Sequence, residues 1–141
     1  MSDTVSLGNP FFEEKGKIIG QRILAVRPET QIEYTFSANG TMNGDIGITD
    51  TGTLVSTLRS GGISYSEGQG VIMTKDGSEM ATWNAHIIGN VADQGKILFR
   101  GSGFYNTSST GKLAFLNNII TVFKAEVDES GNLSNKEWQW K

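Results

Sequence analysis

His86 is the only histidine in a chain without cysteine, so it is the first place to look for acid–base chemistry near neutral pH. It lies in Glu79–Gly89, a β-forming run in which Met80, Thr82, Asn84, His86 and Ile88 share one face. Ala81, Trp83, Ala85 and Ile87 form the opposite, drier face. Alternation therefore gives the imidazole to the more polar side, which in the plain reading is the outside of a half-buried strand. The alternative places Thr82, Asn84 and His86 inside a polar-lined barrel, where the ring would serve as general acid or base. A base needs a partner, and Glu67, Glu33, Arg22 and Arg100 are mid-strand charges that would supply one. A cavity built this way would take Asn84, His86, Glu67, Arg100, Asn117 and Tyr34 as ligand-binding residues, with His86 and Glu67 as the catalytic candidates.

Other chemistries find less support. With one histidine and no thiolate, any metal would need carboxylates alone. The acids Glu13, Glu14, Asp45, Asp50, Asp76, Asp93, Asp128 and Glu129 fall mostly in stretches that read as loops, where a solvated surface is the expectation. The acidic spacing of a calcium-binding EF-hand loop is missing. No GxSxG elbow is present, and Ser108-Ser109 sits in a turn, so nucleophilic catalysis has no residue to carry it. GxGxxG and GxxxxGK[ST] are both absent, and the expectation is no metal and no cofactor. The net charge of −3, with 19% charged residues and no basic stripe, argues against a nucleic-acid partner. Apolar runs such as IITVF are too short for a membrane-spanning helix. The first residues lack the apolar core of a signal peptide, so a cytoplasmic location is expected.

These side chains need a frame, and the frame reads as sheet. A length of 141 residues is one domain's worth. Residues 1–15, with Pro10 and the Phe11-Phe12 pair, are expected to form an N-terminal arm, and 16–141 a single domain. Within it, Lys17–Arg27, Gln31–Thr41, Gly52–Arg59, Ile63–Lys75, Glu79–Gly89, Lys96–Tyr105, Lys112–Val127 and Asn135–Trp140 read as strands. Turn chemistry separates them at Asn43-Gly44-Asp45, Asp50-Thr51-Gly52, KDGS, NVADQG and DESGN. Lys112–Val127 could pass for a short helix, but its β-branched run predicts a long strand kinked at Asn117-Asn118. About eight strands suit a small antiparallel barrel better than an open sheet with two edges; a β-sandwich is the alternative. Glycine, 18 of 141 residues, falls repeatedly inside strands (Gly20, Gly68, Gly70, Gly101, Gly103). Such positions bend the sheet and seat large rings, for which Trp83, Phe99, Tyr34 and Phe36 are available.

The strings SEGQGVIMTKDGSEMATW (66–83), FRGSGFYNTSSTGKLAFLNN (99–118) and EVDESGNLSNKEWQWK (126–141) resemble a family of small, uncharacterised prokaryotic proteins. More distantly, the strand pattern and size are similar to the allene oxide cyclase and dirigent barrels. The resemblance implies an eight-stranded antiparallel barrel, often oligomeric, with a cavity in its mouth. In the cyclases that cavity holds an oxidised fatty acid and steers a reactive intermediate. No cyclase catalytic residue is carried over to this chain.

Three functions follow as expectations. The first is a module binding a small apolar or amphipathic molecule in the barrel. The second is an isomerase or cyclase of the allene oxide cyclase type, using groups such as Glu67, Asn84, His86 or Asn117. The third is a structural, homo-oligomer-forming protein (dimer or trimer) that makes contacts through Phe11-Phe12 and the Trp138/Trp140 face.

Overall fold

Alternation of inward and outward side chains, interrupted in Phe12–Ala25 by irregularities at Ile18/Gly20 and Ile23/Ala25, gives the molecule a single closed wall. The structure, a computed structural model, describes residues 7–141. Its strands are β1 (Phe12–Ala25), β2 (Gln31–Met42), β3 (Ile46–Arg59), β4 (Ile63–Thr74), β5 (Met80–Val91), β6 (Ile97–Asn106), β7 (Ile119–Val127) and β8 (Asn132–Trp140). They form a closed barrel in sequence order, each antiparallel to the next. Pairing of β1 with β8, from Phe12 opposite Glu137 to Lys17 opposite Asn132, removes both sheet edges. An eight-stranded barrel has an interior just wide enough to be filled by side chains or to hold one small ligand. Here side chains fill one end and a cavity is left toward the other.

One end is filled. Phe12, Met42, Ile48, Ile72, Ala81, Tyr105, Leu113, Leu116 and Ile119 form a buried cluster, with Phe11, Trp83 and Phe115 packed against it. Leu113 and Leu116 come from the β6–β7 connection, which carries a 3-10 turn at Ala114–Leu116. Glu79 holds that connection from outside: its carboxylate accepts the backbone N–H groups of Lys112 and Leu113, both at 3.0 Å.

The expected strand count and antiparallel closure are observed, and three boundaries need correction. Phe12–Lys15, expected within an arm, are the start of β1; residues 1–6 of that arm lie outside the described residues. Asp50-Thr51-Gly52 is not a turn but the middle of β3, where Ile48, Asp50, Gly52 and Leu54 alternate inward. Lys112–Asn118 is not strand. The 3-10 turn and the left-handed Asn118 (φ 59°) precede β7, because the chain must cross the barrel end and drop Leu113 and Leu116 into it.

Two interior glycines set the shape of the floor. A Cβ on Gly70 or Gly52 would lie 2.5 Å from ring atoms of Trp83, so the indole lies flat over both strands only because those positions carry hydrogen. Phe36 stacks on the same indole, with ring centroids 6.1 Å apart. The turns behave as the sequence predicts: Gly77 in KDGS and Gln94-Gly95 in NVADQG take positive φ. Asp76 caps the first by accepting the Ser78 N–H at 2.9 Å.

Candidate functional site

Above the plugged end lies a cavity of about 160 Å³. Its walls are apolar: Ile18, Leu54, Ile87, Phe99, Phe123 and Leu133 line it, among others. Tyr34, Phe36 and Trp83 add aromatic faces. At the far end Leu58 is exposed and Ile97, Val127 and Leu133 are only part-buried, which marks the mouth. The other end of the cavity is polar, and it is acidic.

Glu14 from β1, Asp50 from β3 and Glu137 from β8 project inward there, 6%, 3% and 5% exposed. Their positions follow from period two: each is flanked at i±2 by a residue that also faces the barrel interior, as Phe12 and Gly16 flank Glu14. Glu137 is the best supplied with donors. Its Oε2 accepts Thr121 Oγ1–H at 2.6 Å and Tyr105 O–H at 2.9 Å, and its Oε1 accepts Asn135 Nδ2–H at 3.4 Å. Asp50 Oδ1 accepts Trp83 Nε1–H at 2.8 Å. Glu14 Oε2 accepts Asn135 Nδ2–H at 2.9 Å. Two atoms of the cluster have no hydrogen-bond partner, Glu14 Oε1 and Asn135 Oδ1.

Burial without a compensating cation makes ionisation costly here. Desolvation pushes Glu137 up to about 7, against the pull of the Thr121 and Tyr105 hydroxyls, which favour the carboxylate. Glu14 is held well above the ordinary range, first by burial and then by the charge of Asp50. Asp50 is also raised by burial, while hydrogen bonds from Glu14 and Trp83 oppose the shift. Of the two, Glu14 is raised the further, so a proton retained by the pair sits more readily on Glu14, while the indole N–H supports charge on Asp50. Burial, then Glu137, pushes the Tyr105 phenol well above its ordinary value, so it stays a donor. Among the described residues no lysine, arginine or histidine lines the cavity. No three acidic or histidine side chains among those residues are grouped to hold a metal ion.

The residues that the sequence singled out are placed differently. His86 and Glu67 lie on the outer wall with side chains 67% and 64% exposed. Tyr65 joins them there, its O–H 2.7 Å from His86 Nδ1 and 3.0 Å from Glu67 Oε1. They form a surface cluster outside the cavity, because the face alternation of β4 and β5 sends Glu67 and His86 outward together. Arg100 is exposed on the outer face of β6, opposite Lys124. Asn117 is exposed in the β6–β7 connection and accepts the Thr107 N–H at 3.3 Å. Asn84 is exposed on the face that alternation turns outward, and it also borders the cavity. Of these six, Tyr34 and Asn84 border the cavity, and His86, Glu67, Arg100 and Asn117 do not. Glu14 and Asp50, expected on a solvated surface, are buried; Glu137, Asn135, Thr121 and Tyr105 were not singled out at all.

Among the described residues no helix is long and apolar enough to cross a membrane. No family model matches the chain. No curated protein matches it either. Solved structures do. A conserved protein of unknown function from Rhodopseudomonas palustris is similar, with a TM-score of 0.74 at 14% identity, over 97% of this chain and all (100%) of that one. A protein of unknown function from Clostridium acetobutylicum is similar at a TM-score of 0.73 and 16% identity, over 94% of this chain and 98% of that one. At such identities the likeness is one of fold: this chain is a small closed β-barrel of the kind found in those uncharacterised bacterial proteins, and no link to the allene oxide cyclases comes with it.

Proposed function

We propose that the barrel binds a small amphipathic molecule, with its apolar body between the cavity walls and its polar end on the Glu14–Asp50–Glu137 floor. The observation that supports this most directly is the cavity itself: about 160 Å³ of apolar-walled space bordered at one end by the buried polar residues Glu14, Asp50, Asn135 and Glu137. An apolar hole of about 150 Å³ is enough to hold benzene. Drug-sized sites run to roughly 300–1,000 Å³, so the occupant is either small or protrudes through the mouth. A core built only for stability would close this space. Native mass spectrometry of the purified protein after exposure to a metabolite and lipid extract tests the idea. A retained small molecule in one-to-one ratio is expected, lost on Ala125→Phe, which fills the cavity wall. A protein that retains nothing would refute it.

A second reading, an isomerase or cyclase of the allene oxide cyclase type, is favoured by one observation. Two buried carboxyl groups, Glu14 and Asp50, border an apolar chamber, and burial raises both, an arrangement able to give a bound substrate a proton and take one back. Glu14→Gln and Asp50→Asn would each abolish turnover of an oxidised fatty acid; turnover unchanged in both removes the enzyme reading.

A further inference from the structure

From the floor of the cavity we infer the chemical class of the occupant: a small molecule whose polar end is a protonated amine and whose body is apolar or aromatic. The inference rests on the ligand-binding reading above and names the head group that the site selects.

Asn135 Oδ1 is an acceptor, and Glu14 Oε1 becomes one when Glu14 gives up its proton. Glu14, 6% exposed, and Asn135, 9% exposed, both border the cavity, and each leaves one oxygen, Oε1 and Oδ1, buried at the floor without a partner. A head group that reaches them through a small side-chain shift must donate hydrogen bonds, as a primary ammonium does with its three N–H groups. A carboxylate, phosphate or ether would add acceptors to acceptors.

Charge points the same way. The cavity lining carries three carboxyl groups and, among the described residues, no cationic side chain. The titratable groups that face Glu14 are Asp50 from β3, Tyr105 from β6 and Glu137 from β8, and β2, β4, β5 and β7 bring no carboxyl, amine or imidazole to the interior. Without a cation the site must keep a proton, because adjacent buried carboxylates cannot all ionise. An ammonium on the floor replaces that proton as the compensating charge and leaves Glu14 and Asp50 both ionised. Binding therefore strengthens as pH rises from 5 to 8.

The walls complete the match. Trp83 and Phe36, stacked on each other, and Tyr34, Phe99 and Phe123 surround the space above the acids. Aromatic faces attract ammonium groups and receive an apolar or aryl body, the combination that recognises amines elsewhere.

Three ligands of nearly equal shape separate the possibilities: phenethylamine, its uncharged isostere propylbenzene, and 3-phenylpropionate, each titrated calorimetrically into the intact protein at pH 5 and pH 8. At pH 8 phenethylamine is expected to bind at least tenfold more tightly than propylbenzene, with 3-phenylpropionate weakest. The amine preference is expected to shrink at pH 5 and to fall to threefold or less in Glu14→Gln and in Asn135→Ala. His86→Ala, on the outer wall, should keep it. Propylbenzene binding as well as the amine would overturn the inference while leaving the binding module standing. Preference for the propionate would do the same. If none of the three binds and nothing is retained from the extract, both fall together. The comparison within the unmutated protein decides the matter even if a floor variant does not fold.

Discussion

Tyr105→Phe removes one of the two hydroxyl donors on Glu137 Oε2, leaving Thr121 alone to support that oxygen. A lost hydrogen bond to a buried polar partner costs about 1–3 kcal/mol. The loss should be larger at pH 8 than at pH 5, since the phenol stabilises the ionised carboxylate. Urea denaturation at both pH values measures it, and equal losses would mean that Glu137 never ionises in the fold. On the outer wall the expectation is reversed: His86→Ala and Glu67→Gln should each change stability by no more than about 0.5 kcal/mol, because both side chains are solvated. These two residues attract attention in the sequence by type alone, the lone histidine and a mid-strand acid. The acids that matter by position are less conspicuous, yet the signal was there. Ile48-x-Asp50-x-Gly52-x-Leu54 and Leu133-x-Asn135-x-Glu137 set a polar group within an inward-facing stripe, and a Gly beside Asp50 made β3 read as a turn. Glu14 hides for another reason, among charged neighbours in a stretch that reads as an arm.

At the scale of elements, glycine does what a turn residue cannot: it lets Trp83 lie flat on β3 and β4. Gly70→Ala places a methyl 2.5 Å from the indole and must displace it, along with its hydrogen bond to Asp50. Overpacking of this kind costs about 1–3 kcal/mol. In the double variant Gly70→Ala/Trp83→Phe the penalties should be clearly less than additive, because the smaller ring has already vacated the space. Strictly additive values would show that Trp83 is not the group in the way. The plug makes a second, larger prediction. Phe12 is fully buried against the end cluster, and Phe12→Ala should cost about 3–5 kcal/mol, which thermal or chemical denaturation would read directly. The strands and most turns were legible because period two and turn chemistry are local. The start of β1 and the 3-10 crossing before β7 were not, because each is fixed by what it covers: Phe12 and Leu116 go where the barrel end would otherwise gape.

For the molecule as a whole, a barrel that buries acids without cations should be most stable in mild acid rather than at neutrality. Glu137 has an ordinary value of 4.5 and titrates at about 7 in the fold. Between those values the unfolded chain has released a proton that the folded barrel retains. Stability is therefore full below about 4.5 and falls as pH rises through 7, by about 3 kcal/mol from this group. Glu14 and Asp50 are raised by burial too and act in the same sense. Asp76, lowered to about 2, and Asp128, also lowered, act oppositely, being held low by hydrogen bonds within their turns, but both are solvent-exposed and matter only as pH falls below the ordinary carboxylate range. The melting temperature should accordingly be higher at pH 5 than at pH 8, by something on the order of 10 °C. Glu137→Gln, which cannot ionise, should flatten the profile and melt above the unmutated protein at pH 8. A profile that rises from pH 5 to pH 8 would mean the floor carboxylates are already compensated and would remove the basis of this expectation. An ammonium ligand supplies the missing charge, so the stabilisation it confers at a fixed concentration should be greater at pH 8, where the empty barrel is strained by its own acids, than at pH 5, where protons already occupy the site. Calorimetric melts with and without phenethylamine at both pH values measure that difference, and a thermal shift independent of pH would separate the ligand from the acids that the fold keeps buried.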